Sequence, residues 1–289
     1  MNPTFSLTCW LAAMTAASCF AQAPPHAVPA KDDRQPPRDP SWKLVWAEEF
    51  SKDGTPDGAR WDFEQGFQRN SELQWYRPEN AVCRNGVLVI EARREKLPNP
   101  GFRQDSRDWK RSRKFAEYTS ASLITKPALA WTYGRFEIRA RFPAEPGLWP
   151  AIWTTGHGRW PEGGEIDIME FYRGQILANF VQANKSGRDE WNSSHHDIEK
   201  FGKDDWAGKF HLWVMEWDQD KITIHLDGQL LNTHDLTRSF NGNNPQVNPF
   251  RAPHRLRLNL AIGANGGDPS HTVFPKRYEI DYVRIYQKP

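Results

Sequence analysis

The stretch Glu165-Ile166-Asp167-Ile168-Met169-Glu170 constrains the fold more than any other part of this 289-residue chain. It begins by alternating acid and Ile, the period of a β-strand with one wet and one dry face. Glu170 breaks that period. An odd number of steps from Glu165, it would point into the core of a regular strand, where an unpaired carboxylate is costly. A β-bulge around Ile168-Met169 adds one residue without advancing the pairing and returns Glu170 to the face of the other two acids. The segment therefore reads as a bulged strand in a sheet with one buried and one free face. Three carboxylates gathered on a free face are the signature of acid/base chemistry.

The rest of the chain reads as short strands separated by Gly, Pro, Asn and Asp clusters, with no long helical periodicity and no internal repeat. Gly86 to Glu91 is a nearly all-apolar strand. Tyr133 to Phe142 alternates most clearly, with Tyr133, Arg135, Glu137, Arg139 and Arg141 on one face and Phe136, Ile138, Ala140 and Phe142 on the other. Such a strand has a polar face and a core face. Phe210 to Trp217 and Lys221 to Leu226 form neighbouring strands, and Asp227-Gly228 is a tight hairpin turn into Gln229-Leu230-Leu231. Leu256 to Ile262 and Tyr278 to Tyr286 complete the pattern. These many antiparallel strands imply an all-β sandwich of the jelly-roll kind, with one polar face free to form a groove. Lys185 to Lys209 reads as a long surface loop suited to substrate contacts. Asn99 to Lys114 reads as an exposed polar loop, with contact to an anionic substrate as the sharper alternative.

Residues 41–289 suffice for one large domain. Before it, 24–40 is a Pro-rich linker, and 1–23 resembles a secretory leader: Phe5 to Phe20 is an apolar run ending in Ala21-Gln22-Ala23. The run is too short to span a membrane. A secreted or periplasmic protein is expected, and Cys19 after Ala16-Ala17-Ser18 leaves a lipid anchor as the lesser alternative. Past the leader only Cys83 remains, so no internal disulfide can form. A net charge of +2 and a charged fraction of 26% demand neither a nucleic-acid nor a membrane partner. Fourteen Trp, by contrast, suit stacking on sugar rings. A polysaccharide or oligosaccharide substrate is the partner expected, and the chain is read as a monomer.

Hydrolysing a glycosidic bond with retention needs a nucleophilic carboxylate and a protonated acid about 5–5.5 Å apart. With the bulge absorbing a residue, Glu165 and Glu170 are effectively four strand steps apart, roughly 13 Å between Cα atoms. Side chains leaning together leave a gap near the retaining value rather than the wider inverting one. Asp167 lies between them, where it can share a proton with the nucleophile and, by its charge, help keep the acid protonated. Glu165, Asp167 and Glu170 are the candidate catalytic residues.

Which Glu plays which part comes from a resemblance. Trp160-Pro161-Glu162-Gly163-Gly164-Glu165-Ile166-Asp167-Ile168-Met169-Glu170 resembles the active-site strand of family-16 glycoside hydrolases, in the bulged form of laminarinases and agarases. Glu72-Leu73-Gln74-Trp75-Tyr76, Tyr133 to Glu137, Gly147 to Trp153, Leu258 to Gly263 and Asp281 to Tyr286 resemble further family segments in the right order. The resemblance implies a concanavalin A-like jelly roll of two curved antiparallel sheets with a concave substrate cleft. It implies Glu165 as nucleophile, Glu170 as general acid/base and Asp167 as assisting acid. It also implies Trp160 as a stacking platform beside the cleavage point, with Trp149 and Asn70 lining the cleft. For Trp149 and Trp153, which share a strand face, core packing competes with that role. Arg135, on the polar face of its strand, is placed to bond either sugar hydroxyls or a neighbouring acid.

Two departures bear on the substrate. Laminarinases commonly carry a His on the strand after the catalytic one, whereas Leu177 to Ala183 has none and offers Asn179 or Gln182 instead. They also tend to place a Trp where this chain continues Ala264-Asn265-Gly266-Gly267-Asp268. The resemblance further implies a structural Ca²⁺ held by Asp281, with Glu49 and Gly86 as partners; oxygen ligands of this sort suit that ion. The competing reading of Asp281 is a surface acid in a strand. No Cys/His cluster supports Zn²⁺, because His195 and His196 would diverge in a strand, and no cofactor is expected for catalysis. The expected activity is an endo-acting retaining hydrolase of β-linked polysaccharide, β-1,3-glucan first, with an endo-β-galactanase, agarase or mucin O-glycan hydrolase as the alternative. A non-catalytic carbohydrate-binding protein is the alternative from another class, and transfer to an acceptor sugar in place of water stays open.

Overall fold

The computed structural model describes residues 39–202 and 205–289. The expected leader at 1–23 lies outside them, as does the expected linker apart from Asp39 and Pro40.

Two large antiparallel sheets form a sandwich. The sheet that carries the acids runs, edge to edge, β10 (Asp189–Asp197), β9 (Gln175–Ala183), β8 (Glu165–Tyr172), β7 (Leu148–Gly156), β14 (His254–Ile262), β5 (Ser122–Thr125) and β2 (Trp61–Phe63). The back sheet runs β13 (Gln229–Asp235), β12 (Lys221–Leu226), β11 (His211–Trp217), β6 (Gly134–Arg141), β15 (Lys276–Gln287), β4 (Val87–Ala92) and β3 (Ala81–Arg84). A further strand, β1 (Lys43–Glu48), also pairs with β15. Asp227 and Gly228 both take positive φ, 49° and 83°, the twisted two-residue turn that joins β12 to β13.

The core lies between the sheets. Phe136, Ile138 and Ala140 of β6 point inward as the alternation requires, packed in one cluster with Ile166, Met169, Phe180, Leu258 and Leu260 from the other sheet. Each of these side chains larger than Ala, fully removed from water, contributes about 1.5–3 kcal/mol. Trp61, Trp213 and Trp217 are fully enclosed, so part of the Trp content is structural. Cys83 is buried and unpaired. No helix among the described residues is long and apolar enough to cross a membrane.

The outer face of the back sheet is polar, but its charges engage one another. Arg135 donates to Glu137 at 2.7 Å, Arg139 to Asp281 at 2.9 Å, Arg141 to Glu279 at 2.8 Å and Arg284 to Glu49 at 2.7 Å. Two expectations are corrected here. Arg135 belongs to the sheet that does not carry the acids and is not a cleft residue. The expected Ca²⁺ set also fails to fit at its two carboxylates, since those of Asp281 and Glu49 each face a guanidinium. A dication there would be set against Arg139 and Arg284.

The segment read as a loop from Lys185 to Lys209 holds the nine-residue strand β10 at the edge of the cleft sheet. It has no apolar face, which hid its period; polarity on both sides suits an exposed edge. Asn192 donates to the Thr233 carbonyl at 2.9 Å and Ser194 to the Leu231 carbonyl at 2.8 Å, while Trp191, Ser193 and His195 point the other way into the cleft. His195 and His196 diverge as expected.

Candidate active site

The catalytic strand begins after a Gly163-Gly164 turn in which Gly164 takes φ +74°, and a Cβ there would stand 2.8 Å from Cβ of Pro249. Only glycine fits that approach. Along β8 the expected bulge is present. Against β7, Ile152 pairs with Met169 and Trp153 with Asp167, leaving Ile168 unmatched. Against β9, Ile168 and Met169 together span the single Ala178 between the Asp167–Asn179 and Glu170–Leu177 pairs. Glu165 and Glu170 thus line the cleft while Ile166, Ile168 and Met169 are fully buried behind them.

Each outer acid is held by an indole. Trp149 Nε1 donates to Glu170 Oε1 at 2.7 Å, and Trp160 Nε1 donates to Glu165 Oε2 at 3.1 Å. Asn179 Nδ2 ties the other two together, donating to Glu170 Oε2 at 2.9 Å and Asp167 Oδ2 at 3.2 Å. Burial is the largest influence on all three carboxyls, and it disfavours charge. Glu165 is pushed up to about 7 by burial and then by the charge of Glu170, against the pull of Arg69 and the Trp160 hydrogen bond. Glu170 is also pushed up to about 7 by burial, opposed by the hydrogen bonds from Trp149 and Asn179. Asp167 is raised by burial and then by both neighbours. The three titrate as a group and cannot all be ionised near neutrality.

This has a consequence for stability. A carboxyl whose pKa is higher folded than unfolded takes up protons on folding. Its contribution is fully present below the unfolded value and is lost as pH rises through the folded one. The acid cluster therefore weakens the fold above about pH 7. Asp167→Asn is expected to raise Tm by about 2–6 °C at pH 8, and by less near pH 4, measured by calorimetry. An unchanged or lower Tm at pH 8 would contradict a strained acid cluster.

The cleft has a volume of about 690 Å³. Trp160 stands at its mouth, 48% exposed, with Trp191 at 44% exposure and a ring-centroid distance of 6.4 Å. Trp149 lines the wall but is only 8% exposed, so its N–H rather than an open ring face serves the site. Asn70 lines the cleft beside Glu72, and Asn179 sits among the acids. Gln182 is a correction. Three residues beyond Asn179, it falls on the other face of β9, where it donates to the Phe240 carbonyl at 3.4 Å. The structure adds Arg69, Glu72, Tyr172, Trp191 and Arg257 to the cleft wall. Arg257 was legible in the alternation Arg255-Leu256-Arg257-Leu258. Arg69 and Glu72, on a loop that turns through left-handed Asn70 and Ser71, carried no such signal.

The profile described as Glycosyl hydrolases family 16 matches residues 71–284, most of the chain. The chain belongs to glycoside hydrolase family 16. Within that family, a β-glucanase of Rhodothermus marinus is 36% identical to it over 271 residues, 86% of each chain. A solved structure from the endo-acting O-glycanases that human gut microbiota express to initiate mucin breakdown superposes with a TM-score of 0.78 at 35% identity, covering 88% of this chain and 94% of its own. The LamA catalytic domain of Zobellia galactanivorans superposes with a TM-score of 0.69 at 32% identity, covering 84% and 97%. With the family's acids assembled in its cleft, this family-16 protein is a glycoside hydrolase, an endo-acting β-glycanase.

Proposed function

We propose that the enzyme cuts β-linkages within mucin-type O-glycans, by a double displacement that retains configuration. One observation carries the choice of substrate. At similar identity, its backbone follows the O-glycanase with a TM-score of 0.78, against 0.69 to 0.71 for the laminarinases and β-1,3(4)-glucanases. The lack of a His in Leu177 to Ala183 and of a Trp in Ala264 to Asp268, where laminarinases tend to carry them, weighs against β-1,3-glucan as the substrate.

In the first step the Glu165 carboxylate attacks the anomeric carbon while Glu170 passes its proton to the departing sugar oxygen. Trp149 and Asn179 hold the two oxygens of Glu170 in place for that transfer. In the second step Glu170 takes a proton from water, the water oxygen bonds to the anomeric carbon, and Glu165 leaves as carboxylate. Asp167, raised by its neighbours, takes up or releases a proton as the charge on Glu165 changes. Export through the expected leader belongs to the same proposal.

A panel of mucin O-glycans, laminarin, lichenan, agarose, porphyran and carrageenan tests this, with products sized and their first-formed anomer read by NMR. Internal cleavage of O-glycans with an initial β-anomer is expected. Higher kcat/KM on laminarin would replace the substrate reading with the β-1,3-glucan one. An initial α-anomer would overturn the double displacement.

A further inference from the structure

Strand register aligns Arg257 of β14, Trp153 of β7, Asp167 of β8, Asn179 of β9 and Ser193 of β10 in one row across the cleft floor. The row is chemically lopsided. Toward β10 the cleft offers Trp191, Ser193 and His195; toward β14 it offers two guanidinium groups. Arg69 and Arg257 share a single carboxylate. Arg257 Nη1 donates to Glu64 Oε1 at 2.8 Å, Arg69 Nη2 donates to Glu64 Oε2, and Ser122 Oγ donates to the same carboxylate at 2.6 Å. Both guanidiniums lie over the Trp153 ring, 5.1 and 4.8 Å from its centroid, and the indole N–H is taken by Asn259 Oδ1 at 2.6 Å. A sugar on this side therefore meets guanidinium rather than indole.

Most of that hydrogen-bonding capacity is unspent. A guanidinium has five N–H donors. Arg69 directs one at Glu64, while Arg257 directs one at Glu64 and Nε at Thr155 Oγ1, 3.1 Å away. The other donors have no protein partner among the described residues, and both side chains line the open cleft. The remaining acids facing the pair, Glu72 from its loop and Glu165 from β8, are both pushed toward the neutral form by burial. Among the described residues, Glu64 is the one carboxylate that the two guanidiniums hydrogen-bond, and they share it.

We infer that this wall is a subsite for an anionic sugar, one carrying a sulfate ester or a carboxylate. Planar guanidinium forks match the oxygens of either group in a way that a lysine or a hydroxyl does not. Two strand spacings place Arg257 about 10 Å from Asp167, so the charged unit lies beyond the sugar whose bond is cut. The inference deepens the substrate reading above and rests on it only for the identity of the backbone.

The test uses the purified enzyme on the neutral oligosaccharide it cuts best, and on the same backbone bearing one sulfate ester or one carboxylate per repeat. In low salt, kcat/KM for at least one anionic form is expected to exceed the neutral form by about tenfold, shrinking toward parity in about 0.5 M NaCl. Which anion is preferred identifies the source. Arg257→Gln should erase the preference and Arg257→Lys should keep part of it. A neutral backbone cut as fast as both anionic forms overturns the inference. So does an Arg257→Gln protein that slows all substrates alike, since Arg257 would then only support Trp153. The wild-type ratio decides the matter even if the variant folds poorly. Because that ratio is taken on whichever backbone is cut, failure of the O-glycan reading and failure of the anionic subsite are told apart.

Discussion

Glu165→Gln is expected to lower kcat by about 10⁴-fold or more, with the fold intact. The amide has nearly the same shape and can still accept from Trp160, but it cannot attack the anomeric carbon. Loss of a buried charge should leave Tm equal or higher, which separates a chemical defect from a folding one. The removed function can also be supplied from outside. In Glu165→Ala, azide entering the vacated space is expected to restore turnover and yield the α-glycosyl azide, because one displacement now replaces two. Wild-type activity in the purified Gln variant would end the mechanism proposed for this cleft.

Glu170→Gln is expected to lower kcat by about 10²–10⁴-fold on a glycan, in a way that depends on the leaving group. A sugar alkoxide needs the proton that Glu170 delivers. An aryl glycoside with an acidic phenol does not, so its first step should run near the wild-type rate and the glycosyl-enzyme should accumulate. Azide should then give the β-product, the opposite anomer from that of Glu165→Ala. Equal losses on both kinds of substrate would mean that Glu170 is not the acid. The contacts around it sharpen the expectation, since Trp149 and Asn179 engage its two oxygens separately and hold them at the cleft wall.

Much of this site is legible in the order of the amino acids. The row from Glu165 to Glu170 is explicit because a carboxylate aimed into a core is a physical contradiction, and a bulge is the small change that resolves it. Phe136, Ile138 and Ala140 are equally legible, since period-two alternation survives wherever one face is buried and the other is wet. β10 is not. Trp191, Ser193 and His195 alternate with Asn192, Ser194 and His196, but both sets are polar, so no periodic signal marks the strand. Arg135 and Gln182 show the reverse failure: a polar side chain does not say which of two sheets its strand joins, and Gln182, an odd number of steps from Asn179, lies on the opposite face of β9.

What the sequence determined by itself was the chemistry: the all-β class, the bulge, and three acids on one face, each dictated by local periodicity and the cost of a buried charge. What only the tertiary structure decided was who stands beside those acids. Trp149 donates to Glu170 from the neighbouring strand, Trp160 returns from a turn to Glu165, and Arg69 and Arg257 meet over Trp153 from a loop and a strand far apart in the chain. Such partners are set by strand order and loop path, which arise from packing the whole sandwich rather than from any window of residues. Substrate choice depends on those neighbours, so a substrate can be proposed only with the two sheets in place.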